Sequence, residues 1–494
     1  MSFALCLAAC GLSGVALATA GMHASFGWLA CLALVPLALN VRGATSCFQA
    51  TGLGAVFSLG WSLPTIEWIA NLGFHSDGWT PYAVGWVFLT LLFATTHAAA
   101  TALLYWLWAK RGWSCTLALA VAWSSWEWTA DALLRGGFGL SLDPICLAAT
   151  QLDCGPFAQW AAVGGTLLVA TLVAAVNGLV VDALEACRRR DPPSPAPRAV
   201  AATAVLLGAF AFYGVMAPRW DDSSEGPAIL LVPQVWGEDS GLDLHSASSC
   251  DLIVWPESAM SGVLNLDDSV EPSLRAKAQQ LGVPIVVGCR RFCAAPIGVH
   301  NCACLVHPNG RPLETSDKRF CGPLAEFRPP LAIALGVAPA ESSLVGGQSN
   351  CWTLPTGHRL GVGICHDASF PEWSRDLCAQ RPDFLLLIAN ESFTDSPRLR
   401  RQMLACARLR AIESRRAVVR CVQSGVSCVI DAHGSIIAQT TTGATSPLLV
   451  SVSVTRGSSN TIDQTWGGVW SQLTFLGIIA SVEWLYRVRQ GVDS

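Results

Sequence analysis

The stretch Leu252-Ile253-Val254-Trp255-Pro256-Glu257 decides how this chain is read. A short apolar run closed by proline has the pattern of a buried strand, and the acid that follows then sits just beyond the strand's end. Two later stretches bring different chemistry. Asp317-Lys318-Arg319 supplies an ammonium, and the apolar run ending in Gly363-Ile364 leads into Cys365-His366-Asp367. A carboxylate, an ammonium and a thiol at or near strand ends are the parts needed for acyl transfer through a thioester. A thiol with a pKa of about 8.5 is a weak nucleophile until a base or a cation helps it ionise. Glu257 is therefore the expected base, Cys365 the nucleophile and Lys318 the group that stabilises the oxyanion of a tetrahedral intermediate. Taken singly, each has an ordinary structural reading. Glu257 could cap a helix, Lys318 could be a solvated charge, and in a chain with 20 cysteines a thiol after an apolar run is more often a small buried hydrophobe.

Order and context favour the chemical reading. The sequence of Glu, Lys and Cys, with Pro-Glu at the first strand end, resembles the nitrilase superfamily. Within it the chain is most similar to the membrane-fused branch, the apolipoprotein N-acyltransferases. The resemblance runs through Asp317-Lys318 with Pro323 and a second acid at Glu326-Phe327, Ile364-Cys365 with an acid two positions on, and Asp383-Phe384-Leu385-Leu386 to Asn390. It continues through Ala407-Arg408-Leu409-Arg410-Ala411-Ile412-Glu413 and Gly425-Val426-Ser427. In the earlier half, Trp126-Glu127-Trp128 and Gly136-Gly137-Phe138 also look like family segments. This chain departs from the pattern in having His366-Asp367 for an aromatic-Glu pair, no Phe-Gly before Glu326, and Glu391-Ser392-Phe393 for Asp-Ala-Trp.

The resemblance implies a four-layer α-β-β-α sandwich fused to a multi-pass helical membrane bundle. It implies ping-pong transfer in which Cys365 attacks an acyl ester of a membrane phospholipid and the thioester passes to the α-amino group of a diacylglyceryl-cysteine on an apolipoprotein. Glu326, His366, Asp367, Asn390 and Trp236 are the supporting residues it suggests. No cofactor, metal or nucleotide is required, and a monomer in the bacterial inner membrane is expected. Two rivals share parts of the pattern: a membrane-tethered amidase that passes its acyl group to water, and a transporter or sensor whose sandwich binds a ligand without chemistry.

Composition supports a membrane protein independently. Hydrophobic residues make up 52% of the 494 residues and charged ones 13%, against about a quarter in soluble domains. The deficit of charge is confined to the region before about residue 218. Apolar stretches near 3–21, 25–41, 50–70, 82–108, 114–134, 159–182 and 198–217, with an eighth near 467–486, approach the roughly 20 residues a spanning helix needs. Arg42, Lys110 with Arg111, Arg188 to Arg190, and Arg487 with Arg489 fall in alternate loops, whereas the opposite loops carry only Arg135. Basic residues mark the cytoplasmic side. A membrane domain over 1–218 with seven spans, an extracytoplasmic catalytic domain over 219–463, and a returning helix with a cytoplasmic tail over 464–494 follow. Without a basic n-region, the first stretch is expected to be a retained helix and not a signal peptide. Glu67, Glu127 and Asp131 are acids within spans, read as satisfied groups rather than as the lining of a polar cavity or a lipid-headgroup contact.

In the later half, Ile229–Val232, Leu252–Trp255, Pro284–Gly288, Leu360–Ile364, Phe384–Ala389, Ala417–Val422 and Val426–Ile430 read as buried strands. Arg398–Arg416 reads as a helix with Leu399, Met403, Leu404, Ala407 and Ala411 on one face and arginines over the rest. His307-Pro308-Asn309-Gly310 and Asp431-Ala432-His433-Gly434 are turn signals. Cys289 with Cys293, and Cys302 with Cys304, lie near one another but lack Cys-x-x-Cys metal spacing. A net charge of −4 argues against a nucleic-acid partner.

Overall fold

The computed structural model describes residues 2–72, 79–153, 156–188, 196–217, 223–235, 248–265, 270–294, 297–323, 326–329, 333, 344–455, 461–466, 473 and 477. Trp236 and nearly all of the apolar stretch near 467–486 lie outside the described residues. The chain divides into two compact units, one of Met1–Leu133, Ile145–Trp220 and Thr465–Ser494, the other of Leu134–Pro144 and Asp221–Gln464. The segment Leu134–Pro144, read from sequence as part of the membrane domain, thus groups with the later unit.

The first unit is helical. Its main elements are Phe3–Met22, Val35–Arg42 entered through a 3-10 turn at Ala24–Cys31, Cys47–Thr65, Trp79–Leu104 continued by Tyr105–Lys110, Ala161–Arg188, Ala196–Met216 and most of Cys115–Phe138. Among the described residues, four stretches are long and apolar enough to cross a membrane by length and composition: Phe3–Met22, Ala24–Arg42, Tyr82–Lys110 and Ala158–Arg188. The first and third helices meet backbone to backbone, because a Cβ at Gly60 would lie 2.2 Å from the Gly11 carbonyl oxygen and one at Gly14 would lie 2.1 Å from that of Phe57. Small residues permit such approach where no hydrophobic force drives helices together.

Polar groups in this unit satisfy backbone that the bilayer could not. At the junction between the 3-10 turn and the following helix, Asn177 Nδ2 donates to the Ala30 carbonyl at 2.8 Å and its Oδ1 accepts from Leu34 N–H at 2.9 Å. Asp182 accepts from the N–H groups of Cys115 and Thr116, both at 2.9 Å, and so caps the helix that begins there. Of the acids singled out in the spans, Glu127 is buried and its Oε1 accepts from Trp123 Nε1 at 3.0 Å and Leu147 N–H at 2.9 Å. Glu67 is exposed at a break between helices that follows Pro64.

The second unit is a sandwich of two sheets. Its strands are β1 (Ser223–Leu231), β2 (Leu252–Val254), β3 (Val263–Leu264), β4 (Ile285–Ala294), β5 (Ile297–Val306), β6 (Glu314–Asp317), β7 (Cys351–Thr353), β8 (Arg359–Ile364), β9 (Phe384–Asn390), β10 (Val418–Gln423), β11 (Cys428–Ile430), β12 (Ile436–Gln439) and β13 (Leu448–Thr455). One sheet runs β13-β1-β2-β4-β5-β6 with β3 beside β4, and the other β12-β11-β10-β9-β8-β7. Alternation along each strand sorts the side chains. Ile229, Leu231, Leu252 and Val254 join Val362, Ile364, Leu386 and Ile388 in the core between the sheets. Leu230 and Ile253 face outward onto Leu274 and Ala278 of the helix Val270–Leu281. Leu385 and Leu387 face the helices Pro371–Ala379 and Pro397–Ser414 through Trp373, Leu377, Ala407 and Ala411. The result is the expected α-β-β-α layering.

One local expectation is corrected. Arginines do not simply cover the solvent side of Pro397–Ser414: Arg410 is fully buried, 2.6 Å from Asp143 and 2.9 Å from Glu413. Asp143 lies in the segment Leu134–Pro144, so a charge that reads as surface in the sequence anchors that segment to the sandwich. Burying a guanidinium is tolerable only when it is paired in this way.

Candidate active site

Strand ends build the site. β2 stops at Val254, Trp255 N–H still pairs with the Val286 carbonyl at 2.8 Å, and Pro256 then turns the chain so that Glu257 enters the interior. The neighbouring Gly288 allows this turn, since its N–H donates to the Pro256 carbonyl at 3.1 Å and a Cβ there would lie 2.4 Å from that oxygen and 2.5 Å from Glu257 Cα. β6 delivers Lys318, whose N–H donates to the Asn301 carbonyl at 2.8 Å. β8 delivers Cys365, which has φ +50°. A non-glycine residue in that region marks a sharp, strained turn of the kind found at functional sites.

Glu257 and Lys318 meet. Lys318 Nζ lies 2.8 Å from Glu257 Oε1 and 2.7 Å from Glu326 Oε2, and both Glu257 and Lys318 are buried. Asn301 Nδ2 donates to Glu257 Oε1 at 2.7 Å and to Glu326 Oε1 at 2.8 Å, closing a ring of two carboxylates, an ammonium and an amide. Glu257 Oε2 accepts from the backbone N–H of Asn390 at 2.8 Å. Asn390 therefore takes part through its main chain, while its side chain accepts from Ser392 N–H at 3.0 Å. Burial works against the Lys318 charge, yet Glu257, Cys365 and Glu326 hold its pKa well above the ordinary lysine value. Glu326 is itself held below the usual carboxylate range: burial pushes its pKa up, but Lys318, the Gly322 N–H and Asn301 outweigh it.

The Cys365 thiol is pushed well above its ordinary pKa by burial first and then by Glu257, with Lys318 opposing and Glu326 and Glu391 adding to the rise. It is therefore a protonated thiol at rest, and only transfer of its proton to a nearby base makes it a nucleophile. Beneath the site, Glu391 and Arg420 form a buried ion pair, with Arg420 Nη1 also donating to the Val426 carbonyl at 2.8 Å.

Asp367 ties the nucleophile turn to the lysine loop. Its Oδ1 accepts from the N–H groups of Arg319 at 3.0 Å and Phe320 at 2.8 Å, and its Oδ2 from Ile364 N–H at 2.9 Å. Burial pushes its carboxyl up to about 7 against those three donors. His366 turns away from the Glu257–Lys318 pair: its Nε2 is 3.3 Å from the Gly139 carbonyl oxygen and its ring meets Phe370 edge-on at 5.1 Å. Burial, aided by Lys318, lowers its pKa to about 4 and keeps the ring neutral near pH 7.

Next to it stands a column of four side chains. Phe320 and Phe370 stack with centroids 4.0 Å apart and planes 13° from parallel; the Arg319 guanidinium lies 5.0 Å over Phe320 and that of Arg135 5.0 Å over Phe370. Both arginines are tied to one helix, Arg135 to Glu372 at 2.8 Å and Arg319 to Asp376.

Sequence reading missed Asn301, Glu391, Arg420 and this column. Asn301 and Arg420 each interrupt an apolar strand run, a signal that was there to be used. The column carries no such signal, because its members come from three separate parts of the chain.

This fold and this convergence define a carbon-nitrogen hydrolase domain, and the family model described as "Carbon-nitrogen hydrolase" matches residues 219–460. A second family model, "Apolipoprotein N-acyltransferase N-terminal domain", matches residues 13–179. The chain belongs to the apolipoprotein N-acyltransferase family. It is 25% identical over 458 residues to the apolipoprotein N-acyltransferase of Geobacter metallireducens, covering 86% of this chain and 85% of that one. It is 26% identical over 431 residues to that of Sinorhizobium medicae, covering 79% and 77%, and 27% identical over 442 residues to that of Azotobacter vinelandii, covering 82% and 81%.

Proposed function

We propose that this bacterial membrane acyltransferase moves an acyl chain from a phospholipid to the N-terminal diacylglyceryl-cysteine of an apolipoprotein, with Cys365 as nucleophile, Glu257 as base and Lys318 as oxyanion stabiliser. The observation that carries the reading is the buried Lys318 ammonium 2.8 Å from Glu257 and 2.7 Å from Glu326, in electrostatic reach of Cys365, in a chain whose earlier half matches the N-terminal domain of the same family.

In the first half-reaction Glu257 takes the thiol proton as Cys365 Sγ attacks the ester carbonyl. The carbonyl oxygen becomes an oxyanion beside Lys318, where a fixed charge in a dry site is worth several kcal/mol. Collapse of the intermediate breaks the ester C–O bond, and Glu257 returns its proton to the departing lysophospholipid hydroxyl. In the second half the lipoprotein α-amino group attacks the thioester and gives up a proton to Glu257, and the proton returns to the leaving thiolate. A helical membrane unit in the same chain keeps both substrates in lipid, avoiding exposure of acyl chains at about 0.8 kcal/mol per CH₂.

Intact-mass analysis of the purified protein after exposure to phospholipid tests this directly. One acyl adduct on Cys365, discharged by a diacylated lipopeptide amine, is expected. Discharge to water alone, releasing free fatty acid at an undiminished rate when the lipopeptide is present, would replace the transferase reading with a hydrolase.

A further inference from the structure

Cys289 on β4 and Cys302 and Cys304 on β5 bring three thiols to one point on the outer face of their sheet. Residues two apart on a strand share a face, so Cys302-x-Cys304 presents two sulfurs side by side. The antiparallel register sets Cys289 directly opposite Cys302. The sulfurs are 2.9 Å apart for Cys289–Cys304, 3.6 Å for Cys289–Cys302 and 3.8 Å for Cys302–Cys304. All three residues are fully withdrawn from solvent, in the core that also holds Leu274, Ala278, Val287 and Val306.

We propose that Cys289, Cys302 and Cys304 form a three-coordinate thiolate site for a soft monovalent metal ion, Cu(I), separate from the acyl-transfer chemistry. Metal–sulfur bonds of about 2.3 Å place the sulfurs of a trigonal site about 4 Å apart. Two of the three edges are within a few tenths of that, and the third opens by about 1 Å through a small χ1 rotation of one side chain. Among the described residues no fourth His, Cys, Asp or Glu joins the group. Structural zinc takes four ligands, whereas soft thiolates select Cu(I), so the donor count favours Cu(I). Arg291, two residues along the same strand face from Cys289, and Asp317, opposite Cys302, form an ion pair at 2.6 Å at the edge of the cluster. A buried site of this kind fills as the chain folds, and it would staple β4 to β5, the strand that carries Asn301.

The test uses the full chain in detergent, reduced and anaerobic, offered one equivalent of Cu(I) and then challenged with a Cu(I) chelator. The native chain is expected to retain about one Cu(I) with the long-wavelength emission of a thiolate cluster shielded from water. Cys302→Val, whose apolar side chain suits the core, should fold and lose at least tenfold in retention, as should Cys289→Ser. Equal retention by Cys302→Val and the native chain, no retention by the native chain, or retention of Zn(II) in preference to Cu(I) would each overturn the assignment.

Discussion

The Glu257 carboxylate and the Lys318 ammonium are 2.8 Å apart and both are shielded from water; removing Lys318 strips Glu257 and Glu326 of their shared cation, whereas neutralising Glu257 leaves Lys318 paired with Glu326 alone. Lys318→Met puts an uncharged side chain between Glu257 and Glu326 in place of the cation both contact. Acyl-adduct formation is expected to fall by about 10²–10³ through loss of oxyanion stabilisation, with a stability loss of about 3–5 kcal/mol from the broken buried pair. Rapid-quench mass spectrometry and thermal unfolding in detergent measure the two losses. An adduct forming at the native rate would remove Lys318 from the mechanism.

Glu257→Gln keeps the size and removes the base. Because the Cys365 thiol is raised well above its ordinary pKa by burial and Glu257, this variant should make the thiol easier to ionise by added alkali while slowing acylation at neutral pH about 10²–10⁴-fold. Iodoacetamide trapping of Cys365 against pH reads the first effect. The native curve should rise only above the range of a free thiol and that of Glu257→Gln at lower pH; coincident curves would separate the two groups.

Asp367→Asn tests the tie between the nucleophile turn and the lysine loop. Folding raises this carboxyl to about 7, so the native state binds a proton that the unfolded chain releases near pH 4. The stability Asp367 confers is present at low pH and is lost as pH rises from about 4 to about 7, by up to about 4 kcal/mol. Asn does not titrate, so the difference in melting temperature between native and variant should change across that window and flatten outside it. A difference independent of pH would refute the assignment.

The Arg319–Phe320–Phe370–Arg135 column is expected to position Lys318 and Cys365 without touching substrate. Phe370→Ala removes the central ring and should lower kcat several-fold to tenfold with little change in KM. Phe370→Tyr retains the stack, worth about 0.5–1.5 kcal/mol, and should recover most of the rate. A loss expressed wholly in KM would indicate substrate contact instead.

If the basic loops face the cytoplasm, the catalytic domain is expected outside it and Ser494 within it. A cysteine substituted at Ser494 should resist a membrane-impermeant thiol reagent in sealed spheroplasts and react once they are permeabilised. Labelling of sealed cells would invert the orientation.

The strands that lead to Glu257 and Cys365 were legible because each joins an apolar run to an abrupt change of chemistry, whereas the strand before Lys318, Glu314–Asp317, is polar and left no such mark. Asn301 and Arg420 were half legible, as polar residues where period and burial demand apolar ones. What the sequence could not give was cross-strand and cross-segment company. Arg410 looks solvated until Asp143, 267 positions away, is seen beside it, and Cys302-x-Cys304 becomes a cluster only once the register brings Cys289 opposite. His366 read as a substituted neighbour of the nucleophile, yet its ring leaves the Glu257–Lys318 pair for the Gly139 carbonyl.

Gly288 has a consequence of its own. It holds no charge, touches no substrate in the proposed reaction and lies on a different strand from all three reactive groups, yet a single added methyl would sit 2.4 Å from the Pro256 carbonyl oxygen. In a saturation screen for loss of lipoprotein maturation, this position should therefore score with the reactive residues, inactive for every replacement including alanine. Its neighbours Val286 and Val287 should tolerate conservative exchange, so the screen would show an isolated intolerant glycine inside an otherwise forgiving strand.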